Sequence, residues 1–161
     1  MQAGHPPPSG QEPQETRPSF NLERFVAAQA AVYHQVRAEL RAGRKRTHWI
    51  WFIFPQIAGL GSSSTSVHFA IQSLEEARAY LQHPLLGPRL VECVETLLHL
   101  EGRTASEIFP FPDDLKLRSS LTLFECAAGP GSVFSRGLEK YFNGSRDERT
   151  LEWLNRGKSR G

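Results

Sequence analysis

From Phe20 onward, apolar residues fall at three- and four-residue steps, the spacing of one face of an α-helix. Leu22, Phe25, Gln29, Val32, Val36 and Leu40 share such a face and predict an amphipathic helix that stops near Gly43. Ser73 with Glu76 fits a capping box and opens a helix through Leu81. Pro84 restarts a helix in which Leu86, Leu90, Cys93, Val94 and Leu97 line up, and Gly102 ends it. Thr104 with Glu107 repeats the capping box before a short turn that Pro110 and Pro112 break. Asp113 then caps a helix that turns Leu117, Leu121 and Phe124 inward, closed by the "GPG" of Gly129 to Gly131. Val133 to Phe142 and Arg146 to Leu154, separated by Gly144, complete the pattern. About six helices with short connections and almost no alternating strand pattern predict a mainly α fold, a single helical domain over residues 20–155.

One stretch resists periodicity. In "RTHWIWFIFPQIAGLG", Arg46 to Gly61, nearly every position from Trp49 to Phe54 is apolar, so a buried strand and a buried helical turn read alike. Ile50, Phe52, Ile53 and Phe54 are expected in the core. Trp49 and Trp51 stay open: two residues apart, they point to opposite sides of a helix and to one side of a strand. The "GLGSSSTS" that follows reads as a flexible polar segment.

Composition narrows the classes. The 161 residues suit one core rather than two. Residues 1–19 carry Pro6, Pro7, Pro8, Pro13 and Pro18 with little that could be buried, which predicts a disordered tail, and residues 156–161 read as a flexible basic end. A formal net charge of +2 gives no large bias toward nucleic acid or membrane, although "RAGRKR" (Arg41 to Arg46) is a local basic cluster. No secretory signal or membrane-length apolar run is evident, so a cytoplasmic protein is expected. Cys93 and Cys126 lack metal spacing and read as buried thiols; the histidines show no metal pattern, and neither a metal nor a cofactor is expected.

Candidate chemistry gathers in two places. Around the aromatic run, Trp49 and Trp51 can each stack on a flat ligand and donate an N–H. His48 can titrate near neutral pH, Gln56 supplies an amide, and Gly59 and Gly61 allow close backbone approach before three serines. In "DDLKLRSSLTLF", Lys116, Ser119 and Ser120 lie at i, i+3 and i+4 and can present an ammonium beside two hydroxyls. Each group also has a plain structural reading, as core, cap or surface pair. His83 before Pro84 is read as a cap. No nucleophile elbow is present.

The stretches "AGRKRTHWIWFIFPQIAGLG", "IQSLEEARAYLQHPLLGPRL", "DDLKLRSSLTLF" and "YFNGSRDERTLEWL" resemble domain-of-unknown-function family 1810, small bacterial and fungal proteins sometimes mislabelled calpastatin. The resemblance spans roughly Phe20 to Leu154 and implies a mainly helical fold with no established activity. This chain has Pro110 and Ser62 where the family pattern often has Gly and Tyr.

These readings lead to one expectation and two rivals. A pocket is expected where His48 to Gly61 meets the helix bearing Lys116, Ser119 and Ser120, taking an anionic nucleotide-like or ADP-ribose-like molecule. Trp49 or Trp51 would stack, Gln56 and the hydroxyls would orient, Lys116 with the Gly59 to Gly61 backbone would hold the anion, and His48 or Asp114 would serve as acid or base in hydrolysis or glycosyl transfer. The first rival is a non-catalytic module whose tail or basic cluster contacts a protein partner. It is favoured if His48, Gln56 and Lys116 fail to converge on one cleft. The second, nucleic-acid binding through "RAGRKR", is disfavoured by the near-neutral charge.

Overall fold

The computed structural model describes residues 20–160, with side chains through residue 156. The Pro-rich segment 1–19 and most of the basic end lie outside the described side chains. Among the described residues ten α-helices follow one another: α1 Glu23–Ala30, α2 Tyr33–Ala42, α3 Ile50–Ile53, α4 Ser64–Phe69, α5 Leu74–Gln82, α6 Leu86–His99, α7 Ala105–Ile108, α8 Asp113–Ala128, α9 Val133–Phe142 and α10 Glu148–Arg160. The fold is mainly α, with more helices than the six expected.

Four local events raise the number. The first amphipathic stretch breaks at Ala31 and Val32, where Val32 N–H donates to the Gln29 carbonyl at 3.1 Å. Just before the break Gln29 is buried, its amide donating to the Phe52 carbonyl at 2.7 Å and the Tyr80 hydroxyl at 3.2 Å. The aromatic run folds as a single helical turn, α3. The segment expected to be flexible forms α4, because Ser63 accepts from the Ser66 N–H at 3.1 Å and caps it. The turn after Thr104 becomes α7, with both halves of its capping box made.

Asp113, expected to cap α8, does not: it is the first helical residue after Pro112, the helix start has no side-chain cap hydrogen bond, and its carboxylate is drawn to Lys45 and Lys116. Gly43 closes α2 in the left-handed conformation, φ 77°. His83 caps through Nδ1, which accepts from Leu85 and Leu86 N–H at 3.1 and 3.2 Å. Ser73 accepts from Glu76 N–H, but the reciprocal half goes elsewhere: Glu76 accepts from Gln72 N–H and pairs with Arg24 at 2.9 Å.

Helix α8 sits at the centre, packed against α3, α5, α7, α9 and α10. Its positions 119–124 are all buried, which is why an amphipathic stripe understates it. Leu117, Leu121 and Phe124 meet Phe134 and Leu138 of α9, Leu90, Val94 and Leu97 of α6, and Ala77 and Tyr80 of α5 in one core. No β-strand forms among the described residues. A single parallel bridge joins Ile57 to Ile71, with Ala58 N–H donating to the Ile71 carbonyl and Ile71 N–H to the Gln56 carbonyl, each at 2.8 Å. That bridge fixes the segment carrying Gln56 and Gly59 beside the segment following α4.

Neither cysteine is in a disulfide; Cys93 is buried, whereas Cys126 is only half-buried. Burial pushes the Cys93 thiol up to about 12, so it stays protonated and serves as a packing group. No described helix is long and apolar enough to cross a membrane.

Candidate functional site

The α3 turn sends its two tryptophans in opposite directions. Trp49, 1% exposed, enters the core against Phe109 at 6.1 Å and Phe54 at 6.3 Å. Its indole N–H donates to Glu39 at 2.9 Å. Glu39, itself 3% exposed, also accepts from Arg46 N–H, Thr47 N–H, the Thr47 hydroxyl and the Gln35 amide. Burial alone would raise its carboxyl, but these hydrogen bonds outweigh burial and hold it at about 2. Trp49 is therefore a core residue tied to a buried carboxylate, away from any ligand-accessible surface.

Trp51 leaves the core on the other side and lines a cavity of about 190 Å³. Gln56, Gly59 and Gly61 form the adjoining wall. Ser66, Val67 and Phe69 of α4, followed by Ala70 and Gln72, close it. Gly59 adopts φ +90° and lies so close to Trp153 of α10 that an added Cβ would sit 2.8 Å from the indole ring. At Gly61 a Cβ would come 2.7 Å from the Ser66 hydroxyl. Both glycines thus let the loop close tightly on α10 and α4, which sets the shape of the cavity.

The cavity gathers four of the sequence candidates: Trp51, Gln56, Gly59 and Gly61. The others are placed elsewhere. Lys116 stands behind the wall, with Nζ 5.1 Å from the centre of the Trp51 ring and 3.6 Å from Asp113. Asp113 also pairs with the buried Lys45 at 2.7 Å. Ser119 donates to the Leu115 carbonyl and to Asp147, both at 3.1 Å; Asp147 in turn accepts from Thr150 and starts α10. Ser119 is thereby part of a helix cap. The Ser120 hydroxyl is buried, with no partner among the described residues. Asp114 accepts from the N–H of Leu115, next to it in the chain, at the head of α8. His48 is exposed and does not line the cavity. His48, Gln56 and Lys116 therefore do not converge on one cleft.

Residues that pattern reading missed supply part of the wall. Ser66, Val67, Phe69 and Gln72 belong to or follow α4, whose only sequence signal is the Ser63 cap. Nothing in their spacing points to the distant Gln56. None of the lining side chains titrates near neutral pH, and no group of three metal-ligating side chains occurs among the described residues. One lining group is chemically unfinished. The Trp51 indole N–H is sealed from solvent and has no acceptor among the described residues.

The packing at Gly59 yields a paired expectation. Gly59→Ala meets both left-handed strain and the Trp153 ring, whereas Gly102→Ala, at φ +75°, has nothing within 4 Å and meets strain alone. Thermal unfolding should show Gly59→Ala destabilised by about 2 kcal/mol and Gly102→Ala by about 1. Equal losses would mean that Trp153 yields freely.

Comparison with known proteins bears on the family and the fold. The family model described as "Protein of unknown function (DUF1810)" matches residues 19–154. Among solved structures, the conserved hypothetical protein Rv1873 from Mycobacterium tuberculosis is similar, at 57% identity and a TM-score of 0.83. The match covers 84% of this chain and 97% of that chain. No protein with a curated description matches.

Proposed function

The chain belongs to the DUF1810 family of proteins of unknown function, and on that premise we propose that it binds a small planar heterocycle in the Trp51 cavity. The observation that carries this reading is the gathering of the Trp51 indole and the Gln56 and Gln72 amides around one small cavity. Gln56 and Gln72 add two amides to the lining, and Gln56 and Ile57 lead the chain into a loop whose backbone is held by the Ile71 bridge. Carboxamides match the mixed donor and acceptor edge of a nucleobase, and the indole face offers stacking.

Size and chemistry sharpen the ligand class. A cavity of about 190 Å³ is smaller than the roughly 300–1,000 Å³ of sites that engulf drug-sized molecules. It suits the ring of a nucleotide-like compound, with the remainder of an ADP-ribose-like molecule outside. The walls hold no acid or base, and His48 and Asp114 stand apart from them, which favours binding over hydrolysis at this cavity.

The test is a thermal-shift and calorimetric panel of free bases, nucleosides and heteroaromatic amides. Wild type should be stabilised by at least one ring class, and Gln56→Ala should weaken that ligand by about tenfold, the loss of one or two hydrogen bonds. No stabilisation by any ring, or an unchanged Gln56→Ala, would remove the proposal. A protein-interaction module is the second reading. It gains from the failure of His48, Gln56 and Lys116 to converge, and from Phe111 at 76% and Leu115 at 43% exposed on adjacent turns at the head of α8. Loss of a partner on Phe111→Ser substitution, with no ring binding, is its expected signature.

A further inference from the structure

We propose that Arg149 holds an anionic group at the mouth of the Trp51 cavity, so that the ligand class is a nucleoside monophosphate rather than a free base; this rests on the cavity reading above. Arg149, Trp153 and Arg156 lie at i, i+4 and i+7, one face of α10. That face is turned to the loop that forms the cavity wall: Trp153 packs on Gly59, and the Arg149 guanidinium makes a long hydrogen bond of 3.4 Å to the Gly59 carbonyl. Arg156 stacks 5.4 Å from the Trp153 ring centre. Gly59 itself lines the cavity. A cation therefore touches the backbone of a residue that lines the ring-sized hole, without lining the hole itself.

Its hydrogen-bonding state separates Arg149 from the other cations nearby. Arg24 borders a second cavity, which shares Ala70 and Gln72 with the first. Its guanidinium donates to the carbonyls of Phe20, Asn21, His68 and Ala70 and to Glu76, so its donors are already taken. Lys116 is shared between Asp113 and the Trp51 ring. Arg149 has one long bond to a neutral carbonyl and, like Arg156, forms no ion pair among the described residues. Glu152, three residues on, is exposed and makes no ion pair with it. A planar guanidinium with free N–H groups grips a phosphate in bidentate fashion. A ribose between ring and phosphate would connect the two places.

The experiment is isothermal calorimetry on the full chain with adenosine, guanosine, cytidine and uridine, each beside its 5′-monophosphate. Wild type, Arg149→Ala and Arg149→Lys are compared at low and moderate salt. Wild type is expected to bind the monophosphate of at least one pair about tenfold more tightly than the nucleoside, a gap that narrows as salt screens an exposed contact. Arg149→Ala should erase the gap and leave nucleoside affinity unchanged, and Arg149→Lys should retain part of it. Three results overturn the inference and leave the cavity reading standing: equal binding of nucleoside and monophosphate by wild type, a full gap persisting in Arg149→Ala, or loss of the nucleoside itself in that variant. Binding of neither partner in any pair, with free bases also failing, would overturn the cavity reading and this inference together.

Discussion

Glu39→Ala is expected to lower the unfolding free energy by about 3 kcal/mol, the cost of leaving the buried Trp49 N–H without an acceptor and losing a packed side chain. The carboxylate gathers donors from Gln35, Arg46, Thr47 and Trp49, and so ties α2 to the loop that leads into α3. Chemical denaturation should show the loss directly. Glu39→Gln keeps one acceptor but turns an amide toward these donors, and should lose less.

The same network predicts an acid profile. In the folded state Glu39 sits at about 2, against 4.5 for the free group, so between those values the unfolded chain binds more protons. Stability from Glu39 is then fully present above about pH 4.5 and is lost as pH falls toward 2. In Glu39→Gln that contribution is absent and the decline should be shallower. The residual slope belongs in part to Glu125, whose carboxyl is held below its usual range first by hydrogen bonds from Arg146 and then by Ser135. Parallel slopes for wild type and Glu39→Gln would show that Glu39 is not held ionised.

Gly87→Ala carries the second large effect. Gly87 is the second residue of α6, and an added Cβ would sit 2.0 Å from the Leu81 carbonyl oxygen in the last turns of α5. Backbone cannot swing aside as a side chain can, so α5 and α6 would have to separate. Both pack into the centre of the molecule, against α8 and α9 respectively. A loss of about 3 kcal/mol, at the upper end for overpacking, is expected in thermal unfolding. Gly137→Ala offers the comparison: its Cβ would meet the Leu121 methyls at 3.2 and 3.5 Å and a Val94 methyl at 3.6 Å, side-chain ends rather than backbone, so its effect should be smaller. The ordering of the two, rather than either value, tests the argument.

Legibility followed the range over which each signal acts. The Thr104 box, the His83 cap and the Gly43 stop are contacts within one turn of chain, and they form where their spacing places them. Local signals also had limits. The face from Leu22 to Leu40 has unbroken helical periodicity, yet the helix breaks at Ala31 and Val32, just after Gln29, whose partners on Phe52 and Tyr80 spacing cannot see. At the site, Gln56, Gly59 and Gly61 could be singled out as groups able to meet a ligand, but Lys116, Ser119 and Asp114 could equally be singled out and are engaged in pairing or capping. Residue type suggests what a side chain can do; its partner decides what remains for a ligand.

The tryptophans mark the boundary most clearly. The sequence by itself determined that Trp49 and Trp51 belong to one apolar run, that helices dominate, and that glycines follow at Gly59 and Gly61, because these depend on composition and near-neighbour periodicity. Only the tertiary structure decided that the run is a helical turn and not a strand, and hence that the two indoles part company. Trp49 is drawn inward because Glu39 from α2 offers an acceptor inside the aromatic core. Trp51 faces a cavity because α4 and the Ile57–Ile71 bridge close over its other side. Both outcomes rest on contacts between segments distant in the chain, and no local pattern encodes the geometry of such contacts.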